Sequence, residues 1–184
     1  MKQFDYQAEL KKIIDGKQLV QVNLKSDQGQ FKVAYIINAD NKYLTLIELA
    51  NDATPFGVSV RLLEDIEMFK VESIYLGEFV KHVSDEFYRL GLKSLENVKQ
   101  FTFEGFASAL EKTNKVAEIL TENGDSVIGR VVGHDDGVLA FDEYLEDSEG
   151  RLARCYIKFD NIIQISIDIP HLKILARSLA DKNL

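Results

Sequence analysis

The sequence predicts a mainly β protein with additional helix (α+β), in which a short helix followed by five short antiparallel strands occurs twice. Three observations carry that prediction. Apolar residues fall in short alternating or β-branched runs bounded by Gly, Asn and Asp turns. These runs keep the same order in both halves of the chain. Each half is also led and closed by a stretch whose apolar residues recur with helical spacing.

Residues 4–15 set Phe4, Ala8, Ile13 and Ile14 near one side of a short helix, and Gly16 ends it. Residues 19–49 read as strands broken at 27–30 and 38–42, where Asp, Asn and Gly favour turns. After a loop at 50–57, VSVRLL and IEMFKVESIYL supply two further strands. A helical stretch at 75–92 closes the half, with Leu76, Phe79, Val80, Val83, Phe87 and Leu90 along one side. The second half begins with a helix at 103–112 and continues through strands separated at 122–125 and 133–137. A loop at 146–150 leads to two more strands and a helix opened by Pro170.

At an offset of 95 residues, Gly29 meets Gly124, Asp40 meets Asp135, Leu44 meets Leu139 and Glu48 meets Glu143. The resulting boundaries are 1–75 for a first unit with its N-terminal helix, 76–102 for a helical connector, and 103–184 for a second unit with leading and closing helices. The aromatics Phe79, Phe87, Tyr88, Phe101, Phe103 and Phe106 are expected to pack between the units rather than face solvent.

Composition narrows the function. The chain has 184 residues, 22 Lys+Arg against 30 Asp+Glu, and a net charge of −8. Residues 1–92 hold 11 basic and 14 acidic side chains, and residues 93–184 hold 11 and 16, so neither half is basic. Nucleic-acid affinity comes largely from Lys and Arg replacing condensed counterions, so charge disfavours an RNA or DNA partner and favours a protein one. No apolar run approaches the roughly 18 residues that cross a bilayer, and the polar start MKQFDYQAELKK is unlike a signal segment. A cytoplasmic protein without a membrane partner is expected. Cys155, the single cysteine, reads as a small apolar core residue.

Specific residues carry a resemblance to the Sm-like family of small β-barrels. IGRVVGHDDGVLAFDEYL resembles the first Sm motif: Gly129 on a bent strand, Asp135 at the hairpin, and Glu143 after the next strand. YIKFDNIIQISI is similar to the second, through Ile157, Lys158, Asp160, Asn161, Ile162 and Ile165. In the first half the counterparts are Ala34, Asp40, Glu48 and the VRLLEDIEMF stretch. The resemblance covers roughly residues 19–73 and 116–168 and implies two tandem five-stranded barrels of the Sm-like or SH3-like kind. Family members that hold uridine-rich RNA use an Asn four residues after the turn Asp and an Arg-Gly pair. Here Leu44 and Leu139 stand at the Asn positions, and Leu62 and Phe159 replace the Gly beside Arg61 and Lys158. The usual base-reading pocket is therefore not expected in either half.

The residue patterns offer little catalytic chemistry. Asp135, Asp136, Asp142, Glu143, Glu146, Asp147 and Glu149 form an acidic cluster beside His134, but their spacing fits no cation-binding loop, and a solvated rim is the expected reading. His82, His134 and His171 are too scattered to propose a triad with any Ser or with Cys155. Neither a phosphate loop nor an HExxH, GxSxG or CxxC motif occurs. No catalytic residue, metal or cofactor is assigned. The expectation is a non-enzymatic interaction module, acting through a protein partner or through self-association of strand edges. The alternatives are an RNA-associated protein using Arg61, Arg130, Arg151, Arg154 and Lys158, and an acidic inhibitor or immunity-type protein. The latter would present Asp135, Asp136, Glu143, Glu146 and Asp147 to a basic partner.

Overall fold

The structure is a computed structural model that describes residues 5–26, 30–144 and 152–181. Phe4, the turn at 27–29, Glu146, Asp147, Glu149 and Arg151 lie outside the described residues. The first half comprises α1 (Tyr6–Asp15), β1 (Leu19–Leu24), β2 (Phe31–Ala39), β3 (Tyr43–Leu49), β4 (Pro55–Leu62) and β5 (Ile66–Lys70). Two connecting helices follow, α2 (Ile74–Phe79) and α3 (Asp85–Ser94). The second half comprises α4 (Phe103–Thr113), β6 (Val116–Thr121), β7 (Ser126–Asp135), β8 (Val138–Tyr144), β9 (Leu152–Lys158), β10 (Ile162–Ile167) and α5 (Pro170–Asp181). The α+β class expected from the sequence is the class observed.

All ten strands join one antiparallel sheet in the order β5-β1-β2-β3-β4-β10-β6-β7-β8-β9. Within each half the order is therefore fifth, first, second, third, fourth. The correspondence extends to the irregularities that curve the sheet. The β2–β3 ladder shifts between Ile36 and Asn38, and the β7–β8 ladder shifts between Val131 and Gly133. Likewise the bulge between Ile66 and Met68 in β5 has its match between Ile162 and Gln164 in β10. A 3-10 turn precedes each of these last strands, at Leu63–Asp65 and Phe159–Asn161. Leu63 N donates to Lys42 O at 2.8 Å, as Phe159 N does to Gly137 O at 2.9 Å.

Turn chemistry explains the hairpins. Asp40 Oδ1 accepts from Lys42 N at 2.7 Å and from Tyr43 N at 2.6 Å, tying the β2–β3 turn. Asp136 and Gly137 take φ of 43° and 78° in the two-residue β7–β8 turn, the left-handed pair that matches strand twist. Gly129 answers a different demand. A Cβ built there would lie 2.0 Å from the Asp142 carbonyl oxygen and 2.8 Å from a Phe141 ring carbon. Gly129→Ala is expected to destabilise by about 1–3 kcal/mol or more through forced main-chain separation. Chemical denaturation of the variant checks this.

Three apolar clusters hold the layers. One lies on one side of the first half's strands: Leu10 of α1 packs with Val20, Val22, Ala34, Ile36, Leu44 and Leu46. The largest lies on the opposite side of β3 and β4 and runs into the second half, where Phe103, Phe106 and Leu110 of α4 meet Val60, Ile119, Phe141 and Ile165. The aromatics around the connector belong to it, with Phe79 buried and Phe87, Tyr88 and Phe101 packed against its margin. The third, small, seats α5 through Leu172 on Val116, Tyr144 and Ile169. Because it is covered on both sides, β3 is buried along its full length. No helix among the described residues is long and apolar enough to cross a membrane.

Four local expectations change. Ala8 is exposed and Leu10 is the buried residue of α1, because Leu10, Ile13 and Ile14 share the i, i+3, i+4 stripe. The loop expected at 50–57 is shorter, since β4 begins at Pro55. The strand expected through 66–76 stops at Lys70, because Ser73 caps α2, its Oγ accepting from Leu76 N at 3.1 Å. The closing helix is broken at Val83, which is extended, and Ser84 Oγ starts α3 by accepting from Glu86 N at 3.2 Å.

Candidate functional site

The centre of the sheet is the place where the two halves join. Strand β4 pairs with β10 through Arg61↔Gln164, Val60↔Ile165, Ser59↔Ser166 and Val58↔Ile167. Alternation sends Val58, Val60, Ile165 and Ile167 into the main core, and sends Ser59, Arg61, Gln164 and Ser166 to the other side, where they are also buried. A polar network fills that side. Arg61, with 0% of its surface exposed, donates from Nη1 to Asp65 Oδ2 at 3.0 Å and from Nη2 to Gln164 Oε1. Its Nη2 lies 3.7 Å from Glu48 Oε1. Glu48 accepts from Ser59 Oγ and, at 2.9 Å, from Lys32 Nζ. Asp65 accepts from Ser26 N at 3.1 Å and Ser26 Oγ at 2.9 Å. Two cations and two carboxylates thus balance in a nearly closed space, which is the condition under which buried charge is tolerated.

Burial would push the Glu48 carboxyl up, but Lys32, Arg61 and the Ser59 hydroxyl outweigh it and hold the group below its ordinary value of 4.5. The charged form of Glu48 therefore stabilises the fold above that value, and the contribution is lost as pH falls through the lower folded value. Glu48→Gln is expected to be less stable than the wild type near neutrality, with the gap narrowing in acid. Urea midpoints measured across that range check the sign.

The second half answers this network differently. Arg61 stands opposite Leu44, and Ile157 stands opposite Leu139. The register counterpart of Arg61 is thus apolar, and Lys158 lies one position on, opposite Val138. Leu44 and Leu139 are both fully buried. Cys155 stands where the first half has Ser59, and its Sγ lies 3.4 Å from Phe141 O. Burial pushes its thiol up, and the Glu143 charge adds to this.

The sequence-derived candidates do not form one surface. Arg61 is in the centre of the sheet, whereas Arg154 and Lys158 are exposed on β9, five strands away at one edge. Arg154 is paired with Asp142, donating from Nε to Oδ1 and from Nη2 to Oδ2 at 3.1 Å. Asp135 and Asp136 are exposed at the β7–β8 turn, and Glu143, half-buried, faces Gly129 and Ala153 along β8. Glu146, Asp147 and Arg151 are outside the described residues.

Two features escaped sequence reasoning. Ser108 Oγ lies 2.8 Å from His134 Nε2, brought there by α4 packing on β7. His134 also meets the edge of Phe159, and among the described residues no carboxylate hydrogen-bonds it. The second feature is the pair of sheet edges. Strand β5 carries Met68, 41% exposed, with Val71 just beyond it at 42%, and β9 carries Tyr156 at 71%. Alternation in short strands signals an inner and an outer face but not which strand stands at an edge. The chain matches no known family model, no curated protein and no solved structure.

Proposed function

We propose that this chain is a non-enzymatic assembly module, built as two Sm-like barrels in tandem, which joins further copies of itself through β5 and β9. The observation that carries the reading is the β4–β10 ladder, in which the fourth strand of one half adds to the fifth strand of the other. The edges left over are the fourth strand of the second half and the fifth of the first, the same two kinds of strand. Transferring the β4–β10 register to them, by way of the matching bulges, sets Ile157 opposite the next copy's Met68 and Tyr156 opposite its Phe69. Exposed apolar side chains on both edges would then leave water, which favours pairing beyond the ladder itself. An unpaired edge is otherwise a liability that proteins cover or charge.

Light scattering with absorbance at 260 and 280 nm on one chromatographic peak tests the reading. The expected result is a multiple of the 20.9 kDa chain mass free of nucleic acid, with Tyr156→Glu reduced to the monomer. A protein-only monomer in the wild type overturns it, and a multimer that carries nucleic acid replaces it with the RNA reading.

A further inference from the structure

A cleft of about 600 Å³ opens between the two halves, away from β5 and β9. Its floor is apolar: Ile47 of β3, Val58 of β4, and Phe87 and Leu90 of α3. The floor is apolar because α3 is amphipathic yet incompletely covered. Its one buried residue is Gly91, where a Cβ would lie 2.5 Å from Ile47 Cδ1, so the glycine lets the helix rest on β3. Leu90, the residue before it, remains 46% exposed within the cleft.

The mouth is basic. Lys93 from the last turn of α3, Lys115 before β6 and Lys173 from α5 converge on it, against the carboxylates of Asp168 and Glu96. Lys115 is committed to Asp168 at 3.1 Å, whereas Lys93 and Lys173 have no ion-pair partner among the described residues. A smaller hollow of about 230 Å³ shares Lys115, Asp168 and Lys173 and extends along β7 to Arg130. On a chain with net charge −8 this is a local reversal of sign directly above an apolar floor. The volume lies within the range of roughly 300–1,000 Å³ typical of small-molecule sites. Lys93 and Lys173 beside an apolar surface favour a ligand with both an anionic head and an apolar body.

We propose that this cleft binds a small amphiphilic carboxylate, its head held by Lys93 and Lys173 and its apolar body laid on Phe87 and Leu90. The site is independent of self-association, since none of these residues lies on β5 or β9.

Titration calorimetry of the full chain with dodecanoate below its micelle concentration tests the proposal. Saturation at one ligand per chain is expected, with dodecyltrimethylammonium binding about tenfold or more weakly, because its head carries the wrong sign. The double variant Lys93→Glu with Lys173→Glu, and separately Leu90→Glu, are each expected to weaken dodecanoate by about tenfold or more. All three side chains are exposed, so melting temperatures should stay near wild type. Tyr156→Glu should bind dodecanoate normally, which separates this test from that of assembly. Absence of saturable binding, equal affinity for the cationic amphiphile, or unchanged binding in both variants overturns the proposal.

Discussion

Arg61→Met is expected to lower stability by about 3–5 kcal/mol, the range found when one partner of a buried ion pair is removed. Methionine fills much of the arginine volume, so little of this loss comes from a cavity. It comes from Glu48 and Asp65, 3% and 7% exposed, which lose the guanidinium between them. Gln164 also loses the donor that ties β10 to β4. Adding Glu48→Gln to the variant should recover part of the loss, because one unpaired buried carboxylate is then gone. Urea denaturation of the wild type, the single variants and the double variant measures this coupling directly. A loss below about 1 kcal/mol would mean that the network contributes little beyond shape.

Phe106→Ala should cost a similar amount, about 3–5 kcal/mol, for a different reason. Phe106 is 0% exposed and lies in the cluster that α4 shares with both halves of the sheet. Its neighbour on the same helix, Phe103, meets Tyr43 of β3 edge-on, with ring centroids 5.0 Å apart. Truncation at 106 therefore opens a cavity at the seam, where α4 links β3 and β4 to β7 and β10. If that seam is a cooperative part of the fold, Phe106→Ala lowers the denaturation midpoint while the transition remains single. Two separate transitions would show that the halves unfold independently.

The contrast between the halves bears on function. The first half keeps Glu48, Ser59, Arg61 and Asp65 as a buried ionic set, and the corresponding positions of the second hold Glu143, Cys155, Ile157 and Asn161. The ionic set sits where another strand is already paired. On β9, whose outer side pairs with no strand among the described residues, Cys155 and Ile157 stand in place of Ser59 and Arg61.

The α+β class, the number of strands and their succession along the chain, the α4 and α5 helices, and the tight turns at Asp40 and Asp136-Gly137 were legible from residue pattern alone. These are local properties: strand alternation, capping and left-handed turn residues act within a few positions of the chain. The pattern also marked Gly129 as special, although only the 2.0 Å approach to the Asp142 carbonyl gives the steric reason. Where sequence reading was incomplete, the missed signals were short. Ser73 and Ser84, each a single capping hydroxyl, divide what apolar spacing alone presents as one strand and one helix. The remaining features arise from long-range pairing. Arg61 looks like any strand arginine until β10, more than a hundred residues later, lies beside it and encloses it. The union of both halves into one sheet, the exposure of β5 and β9 as its edges, and the basic mouth over α3 all depend on pairings between residues far apart in sequence. Such pairings are selected by the collective burial of apolar surface and leave no local pattern in the chain.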